Sequence, residues 1–433
     1  MPDIKISVID ATFMRSWKEF KKMVKTESPD ILGFSFSSPL ADDAYQAIKL
    51  AKKVCPEALI IAGGPHPTVD PVSVIKKGVK IAVIGEGEKS LVQIINSFKR
   101  KESFSKVESA FYRDGQKIKY NPRISYIENL DSLPIPDRSL LDINRYIDVN
   151  GSLHMLTTRG CPFNCFFCQP TQRKLFGVNV RANSPERVIE EIKNIVKNYG
   201  KKKFVLFIND DTFTFDEKRV KKICNLMIKN KFDKIPWWCH SRVNTFTEII
   251  ARAIKNAGCI GVSFGVESGS QRILSEILRK GITVEQTEKA FKIAHKYGIL
   301  TLAYLMIGSP TETVNDLEAT NRLIAKIHPD IISISRTTPV PGSALYDYAK
   351  KKRILNLKTS ADFGYYGDIK PLKLDTLKEK EIEFYKSKWT KTWLFSLYKN
   401  FFKYIKLLIP SNTRFFLIKN AIRTIKKKLK FLS

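Results

Sequence analysis

Leu153-His-Met-Leu-Thr-Thr158-Arg-Gly-Cys161-Pro-Phe-Asn-Cys165-Phe-Phe-Cys168 is the stretch on which the reading of this chain turns. An apolar run ends in a turn at Arg159-Gly160, and three cysteines follow at spacings of four and three residues. Such a Cys-x3-Cys-x2-Cys loop can wrap three corners of an iron–sulfur cubane and leave the fourth iron without a protein ligand. The competing readings are a structural zinc loop and three incidental thiols. Structural zinc takes four ligands, and neither His154 nor Cys224 has convincing ligand spacing to the trio.

Working outward, apolar runs recur at Leu153–Thr158, Phe204–Ile208, Trp237–His240, Ile260–Val266, Leu300–Ile307 and Ile331–Ser335. Each of the first five is followed by a segment of helical period, as at Pro185–Tyr199, Glu217–Lys229 and Glu285–Tyr297. Six β/α units predict a partial (β/α)6 barrel over residues 151–345, with the cysteine loop at its first strand end. Upstream, residues 1–130 also alternate short apolar runs with helical periods, the pattern of a Rossmann-like parallel α/β domain. Strands are expected at Ile4–Ile9, Ile31–Phe36, Ala58–Ala62 and Ile81–Val83, with helical segments at Trp17–Val24, Ala41–Val54 and Ser73–Lys77. The loops Ser35–Ser38, Gly63–Thr68 and Gly85–Glu88 then gather at the carboxyl ends of the strands, where an open parallel sheet places its ligand crevice. Leu133-Pro-Ile-Pro-Asp137 marks a linker, 131–150.

The chain has 433 residues and a formal charge of +31, a field that favours anionic partners without choosing among them. Spread-out Lys on solvated helix faces is the bland alternative. The extension 346–433 is expected to be mostly helical. From Glu381 to Ser433 it carries 13 Lys/Arg against two Glu, interleaved with Trp389, Trp393, Phe395, Tyr398, Phe401, Phe402 and Tyr404. Basic and aromatic residues together suggest a helix that binds an anionic membrane surface; a cap packed on the barrel is the other reading. Cys55, Cys224, Cys239 and Cys259 are scattered among apolar neighbours, as buried free thiols are in a reducing compartment. The N-terminus lacks the pattern of a secretory signal, and no run reaches the roughly 18 apolar residues of a spanning helix. A cytoplasmic protein, peripheral at most on the inner face of the membrane, is expected.

Taken together, these residues resemble the radical S-adenosylmethionine (SAM) enzymes over about Leu153 to Pro341. The N-terminal domain resembles the cobalamin-binding domain of one subgroup, without the strand and helix that usually precede the segment matching Ile4–Asp10. The resemblance implies a [4Fe-4S] cluster on Cys161, Cys165 and Cys168, with Phe167 in the cluster loop. In the family the open iron chelates SAM, whose reductive cleavage gives a 5′-deoxyadenosyl radical. Further SAM contacts are implied at the later strand ends. Asp210 or Asp211 in Phe207-Ile-Asn-Asp210-Asp211-Thr would face the ammonium, although such a pair also suits a helix start. Arg242 in Ser241-Arg242-Val-Asn244 would take the carboxylate. Gly265, Glu267 and Ser268 in Gly265-Val-Glu267-Ser268-Gly269 would meet the ribose and methionine. Gly308-Ser-Pro310-Thr-Glu312-Thr resembles a Gly-x-Pro-Gly-Glu-Thr element with Thr311 in place of glycine, and Pro339-Val-Pro341-Gly342-Ser343 resembles the element after the sixth strand. For cobalamin the implied contacts are Ser37, Ser38, Gly63, Gly64, His66, Thr68, Gly85 and Glu86. The Asp-x-His-x-x-Gly cobalt-ligand motif is absent.

The resemblance implies methyl transfer, or radical rearrangement or cyclisation, on an unactivated carbon of a small or lipid-like substrate, with an electron donor such as a flavodoxin or ferredoxin. A transfer-RNA methylthiotransferase is the second enzymatic reading. It needs three further N-terminal cysteines where only Cys55 stands, so nucleic acid is not the expected partner. A membrane- or nucleic-acid-binding module with a structural metal loop is the non-enzymatic one.

Overall fold

The computed structural model describes residues 4–123, 126–168, 171–357, 359–363 and 370–399. Two sheets organise them. In the first, β1 (Ile31–Ser35), β2 (Leu59–Gly63) and β3 (Ile81–Val83) run parallel, and β4 (Ala110–Asp114) and β5 (Lys117–Asn121) extend the sheet as an antiparallel hairpin. The sequence reading passed over this hairpin. Its signal is Asp114-Gly115 between two short alternating runs, with Gly115 at φ +57 in the turn.

Residues 4–10 are a correction: they form no strand, and Ile6 and Val8 are 64% and 45% exposed. The alternation of Ile4, Ile6 and Val8 with Lys5 and Ser7 suits a strand, but the segment pairs with no sheet edge among the described residues and is held by other bonds. Asp10 accepts from the backbone N–H of Thr12 at 2.9 Å and from the Tyr146 hydroxyl at 2.7 Å, while Ile9 packs beneath the sheet.

The second sheet is all parallel, in the order β6 (Ser152–Met155), β9 (Val205–Ile208), β10 (Trp237–Ser241), β11 (Cys259–Glu267), β12 (Leu300–Ile307), β13 (Ile331–Arg336), curled as a half-barrel. A two-stranded ribbon, β7 (Thr158–Arg159) with β8 (Arg181–Ala182), interrupts the first unit, so the run expected to Thr158 ends as a barrel strand at Met155. Alternation sorts the residues. Trp237 and Cys239 face the core under the helices, and Trp238 and His240 face the barrel interior. The helices start where the sequence allows: Ser184 accepts from Arg187 N–H and Pro185 fixes the first turn of Pro185–Tyr199.

The stretch 131–150 is more than a tether. It contains helix Ile143–Asn150, and Ile147 belongs to the barrel core. Beyond the barrel, helix Glu379–Lys399 lies on helix Val314–Ile327. Trp389 Nε1 donates to Leu317 O at 3.1 Å and Trp393 Nε1 to Asp330 O at 3.3 Å, both indoles buried. The packed-cap reading therefore holds for Trp389 and Trp393, whereas Phe384 and Phe395 are about 60% exposed. The basic residues after Lys399 lie outside the described residues. Among the described residues, no helix is long and apolar enough to cross a membrane.

Candidate functional site

Gly160 begins the cysteine loop at φ +93, and a Cβ there would stand 2.5 Å from Asn179 O, so no other residue enters this turn without displacing backbone. The loop is pinned on both sides through Phe166, whose N–H donates to Leu278 O at 2.9 Å and whose O accepts from Leu345 N–H at 3.0 Å. Cys165 is buried and Cys161 and Cys168 are partly so. Burial first, then the charges of Asp211 and the other thiols, pushes Cys168 up to about 12; burial also raises Cys161. Three crowded thiols are costly as free anions, and a cationic iron cluster removes that cost by taking them as ligands. Arg242 leans on the same loop. Its guanidinium lies 3.9 Å over the Phe163 ring, Nη1 donates to Cys165 Sγ at 3.4 Å, and Nε is buried without a partner. An orphaned cationic donor beside a cysteine trio fits a negative group there, a carboxylate or the thiolates of a ligated cluster.

The two aspartates separate. Asp210 is fully buried and accepts from Thr157 N–H and Oγ1, each at 2.5 Å, and from Thr158 N–H at 3.0 Å, so its carboxylate is spent on holding the 157–158 turn. This corrects its expected role as a cofactor contact. Asp211 instead stays exposed, with Nε2 of Gln172, just past the cysteine loop, donating to its Oδ1 at 3.5 Å; partial desolvation and then the charge of Asp210 raise it to about 6. The helix start expected of this pair belongs to Asp216, which accepts from Arg219 N–H at 3.0 Å.

At the end of β11 a register shift between Gly265 and Glu267 puts Glu267 at φ +62. Strain of this kind in a non-glycine residue collects at functional sites. Glu267 Oε1 accepts from Lys280 Nζ at 2.6 Å, and a Cβ on Gly265 would stand 2.4 Å from that Nζ and 2.6 Å from Oε1. Ser268 is committed locally: its hydroxyl meets Thr320 Oγ1 at 3.3 Å and accepts from Ser270 N–H at 3.1 Å. Phe167 packs at the edge of the barrel core with Lys280 Nζ 5.8 Å from its ring. After β12, Thr311 keeps the left-handed conformation of the glycine it replaces, φ +60, with Arg272 donating to its Oγ1 and O. Glu312 accepts from Gly308 and Ser309 N–H at 2.6 and 3.0 Å, and burial raises it to about 8.

In the N-terminal sheet the three loops do converge. His66 N–H donates to Phe36 O at 3.1 Å, and Thr68 Oγ1 donates to Gly64 O and accepts from Gly85 N–H. Gly64, at φ +93, has Ser35 Oγ 2.9 Å from where a Cβ would sit, and Gly63 closes β2 beside it. Ser37 stands before the short turn Ser38–Leu40. His66 is buried and lowered by desolvation, with Nε2 2.9 Å from Tyr45 OH and Nδ1 3.1 Å from Ser38 Oγ. Both ring nitrogens are engaged, so this rim suits a corrinoid that takes no cobalt ligand from His66. Glu86 points elsewhere than expected: it pairs with Arg159 and Arg181 at 2.9 Å and accepts from Ile127 N–H, joining the N-terminal domain to the barrel.

Sequence reasoning missed Lys280, Arg159 and Arg181. Arg159 stands in the turn before the cysteines but without a sign of its partner, and the carboxylates that these three cations meet lie 13, 73 and 95 residues away.

Residues 155–324 match the Radical SAM superfamily and residues 3–95 the B12 binding domain. The chain is 34% identical over 413 residues, 94% of its length and 86% of the relative's, to an uncharacterized methyltransferase of Pyrococcus horikoshii. It is 28% identical over 342 residues to the anaerobic magnesium-protoporphyrin IX monomethyl ester cyclase of Cereibacter sphaeroides, covering 76% of this chain and 55% of the cyclase. Among solved structures, the radical SAM methyltransferase TsrM of Kitasatospora setae, with cobalamin and a [4Fe-4S] cluster bound, shares the fold. Its TM-score is 0.70 at 17% identity, over 81% of this chain and 70% of that one. The cobalamin-dependent SAM radical enzyme OxsB gives 0.71 at 17% identity, over 95% and 64%. With its cysteine loop at the first strand end of the half-barrel and a B12-type sheet before it, the chain belongs to the radical SAM superfamily, in the group that carries an N-terminal B12-binding domain.

Proposed function

We propose that this radical SAM enzyme is a cobalamin-dependent methyltransferase acting on an unactivated carbon of a small or lipid-like molecule. One observation carries the reading: helix Thr171–Phe176, which follows the cysteine loop, packs on helix Pro65–Val69 at the rim of the N-terminal crevice. The loop Pro339–Ser343 joins them, with Thr171 Oγ1 donating to Pro341 O and Gly342 lying against Val69. The two cofactor sites share a wall, as transfer between them requires.

When bound, the [4Fe-4S] cluster supplies the electron that cleaves SAM and cobalamin supplies a methyl carrier. The chain's own residues bind and orient. Cys161, Cys165 and Cys168 hold the cluster; Asp211 accepts from the SAM ammonium; Arg242 donates toward Cys165 and the carboxylate; Glu267 accepts from the ribose; Gly265 leaves room for both. Phe167 walls the site, and Ser268 acts through its turn. Ser37, Ser38, Gly63, Gly64, His66, Thr68 and Gly85 line the cobalamin crevice. Substrate reaches the interior beside β6, where a cavity of about 380 Å³ is lined by Leu133, Pro134, Arg138, His154, Leu156 and Asn209.

Protein purified anaerobically from cobalamin-supplemented cells is expected to show corrin and cluster absorbance. With dithionite or reduced flavodoxin it should convert SAM to 5′-deoxyadenosine. Intact cluster absorbance without any SAM-derived product would overturn the reading. At the surface, exposed Phe384, Leu394 and Phe395 lead into the basic C-terminal stretch, which supports peripheral binding to anionic lipid. Deleting residues 400–433, which spares buried Trp389 and Trp393, is expected to abolish sedimentation with phosphatidylserine vesicles; equal sedimentation would dismiss the anchor.

A further inference from the structure

Among the described residues, Lys280 is the one lysine that is buried, and it lies at the barrel mouth. It follows the irregular helical turn Ile273–Ile277, between Arg279 at φ +45 and Gly281 at φ +63, and is only 7% exposed. Its backbone N–H donates to Leu274 O at 2.9 Å, which fixes the direction in which the side chain leaves. A buried lysine is costly unless paired, and here the pair is with Glu267 alone, so two of its three N–H donors have no protein partner among the described residues. Glu267 is likewise half-used, since Oε2 has no hydrogen-bond partner among the described residues. The ammonium and the carboxylate meet over Gly265, where a Cβ would stand 2.4 Å from Nζ and 2.6 Å from Oε1. Nζ stands 5.8 Å from the ring of Phe167, the residue directly before Cys168. Gly265 keeps this space open, because any Cβ there would run into the pair.

We propose that Lys280 is a positioning residue that ties the nucleoside contact to the cluster. Its ammonium holds Glu267 with one carboxylate oxygen free for the ribose hydroxyls, and its positive charge stabilises the reduced cluster from the Cys168 side. The argument rests on the SAM reading of the site. A cation beside a thiolate-bound cluster favours the more negative, reduced state, and charge and hydrogen bonds near the sulfurs set such potentials. Glu267 opposes that charge while it needs Lys280 for its orientation. The two side chains therefore act together on SAM affinity and against each other on potential.

The test uses the anaerobically reconstituted full chain and two readouts that do not depend on turnover. One is the midpoint potential of the cluster by EPR-monitored titration without SAM; the other is SAM affinity from the change in the reduced-cluster EPR signal. Wild-type protein is read first, and a cluster whose signal ignores SAM counts against the SAM reading itself. With that reading intact, K280M is expected to lower the potential, E267Q to raise it, and each to weaken SAM binding at least tenfold at unchanged iron content. K280R, which keeps the charge but not the single-point geometry, is expected to return the potential and leave the affinity weak. Wild-type potential and affinity in K280M, or a shift of the same sign in K280M and E267Q, overturns the proposal. Should K280M take up no iron, K280R and E267Q decide it: a wild-type potential in E267Q, or wild-type SAM affinity in both, overturns it.

Discussion

Glu312 and Gly160 show how single residues fix the barrel mouth. Glu312 is wholly buried and raised from 4.5 to about 8, so it is mostly neutral at pH 7. A folded pKa above the unfolded one means that the native state binds the proton more tightly, and the stability gained is complete below pH 4.5 and lost as pH rises through 8. The cost at high pH is on the order of a few kcal/mol. Glu312→Gln keeps an oxygen for the Gly308 and Ser309 N–H groups and removes the charge. It is expected to raise the thermal midpoint at pH 8.5 and leave it nearly unchanged at pH 4.5, and a pH series of melts checks this. Gly160→Ala meets Asn179 O at 2.5 Å and a φ of +93, so it is expected to cost about 2 kcal/mol or more and to lower iron uptake on reconstitution. At this scale the sequence was legible where chemistry is local. The cysteine spacing is readable in the chain, but the choice between Asp210 and Asp211 is not, because both lie in the turn past Ile208, where no period sets the direction of a side chain.

Among the elements, the barrel strands were legible because each is a long apolar run between turn residues. Phe204–Ile208 and Leu300–Ile307 were expected almost as they stand. The first segment was not: Ile4–Ile9 alternates like a strand yet finds no ladder, since a strand needs a partner edge and Asp10 is drawn instead to Tyr146. Helix Glu379–Lys399 read as a surface binder because its aromatics are mixed with lysines, and burial then divided them. Trp389→Ala is expected to destabilise the barrel by about 3–5 kcal/mol, the usual cost of emptying a buried indole site, in denaturant unfolding. Phe395→Ala on the exposed face is expected to stay within about 0.5 kcal/mol of wild type.

For the molecule as a whole, the joint between the two sheets combines the packing of helix Thr171–Phe176 on Pro65–Val69 with a buried ion-pair cluster. Glu86 and Arg181 are each 6% exposed and Arg159 is 24% exposed, so Glu86→Ala leaves two cations with a lost partner in a largely dry joint. Breaking a buried pair from one side costs about 3–5 kcal/mol. The variant is expected to lose bound cobalamin on gel filtration and to gain protease cleavage in the 124–150 region, with the barrel still taking up iron. Retention of cobalamin at the wild-type level would show that the joint does not shape the crevice. From its loop Glu86 is expected at the cobalamin crevice, and only its partners, 73 and 95 residues away, reveal its work.

The sequence by itself determined the cysteine loop, the order of the β/α units and the two-domain plan, because spacing and hydrophobic period act over a few residues. Tertiary structure decided which side chains the strand ends bring together. Asp210 closes on the 157–158 turn while Asp211 meets Gln172, Lys280 meets Glu267, and Glu86 serves the joint, since each outcome depends on which face an element turns to a partner remote in the chain.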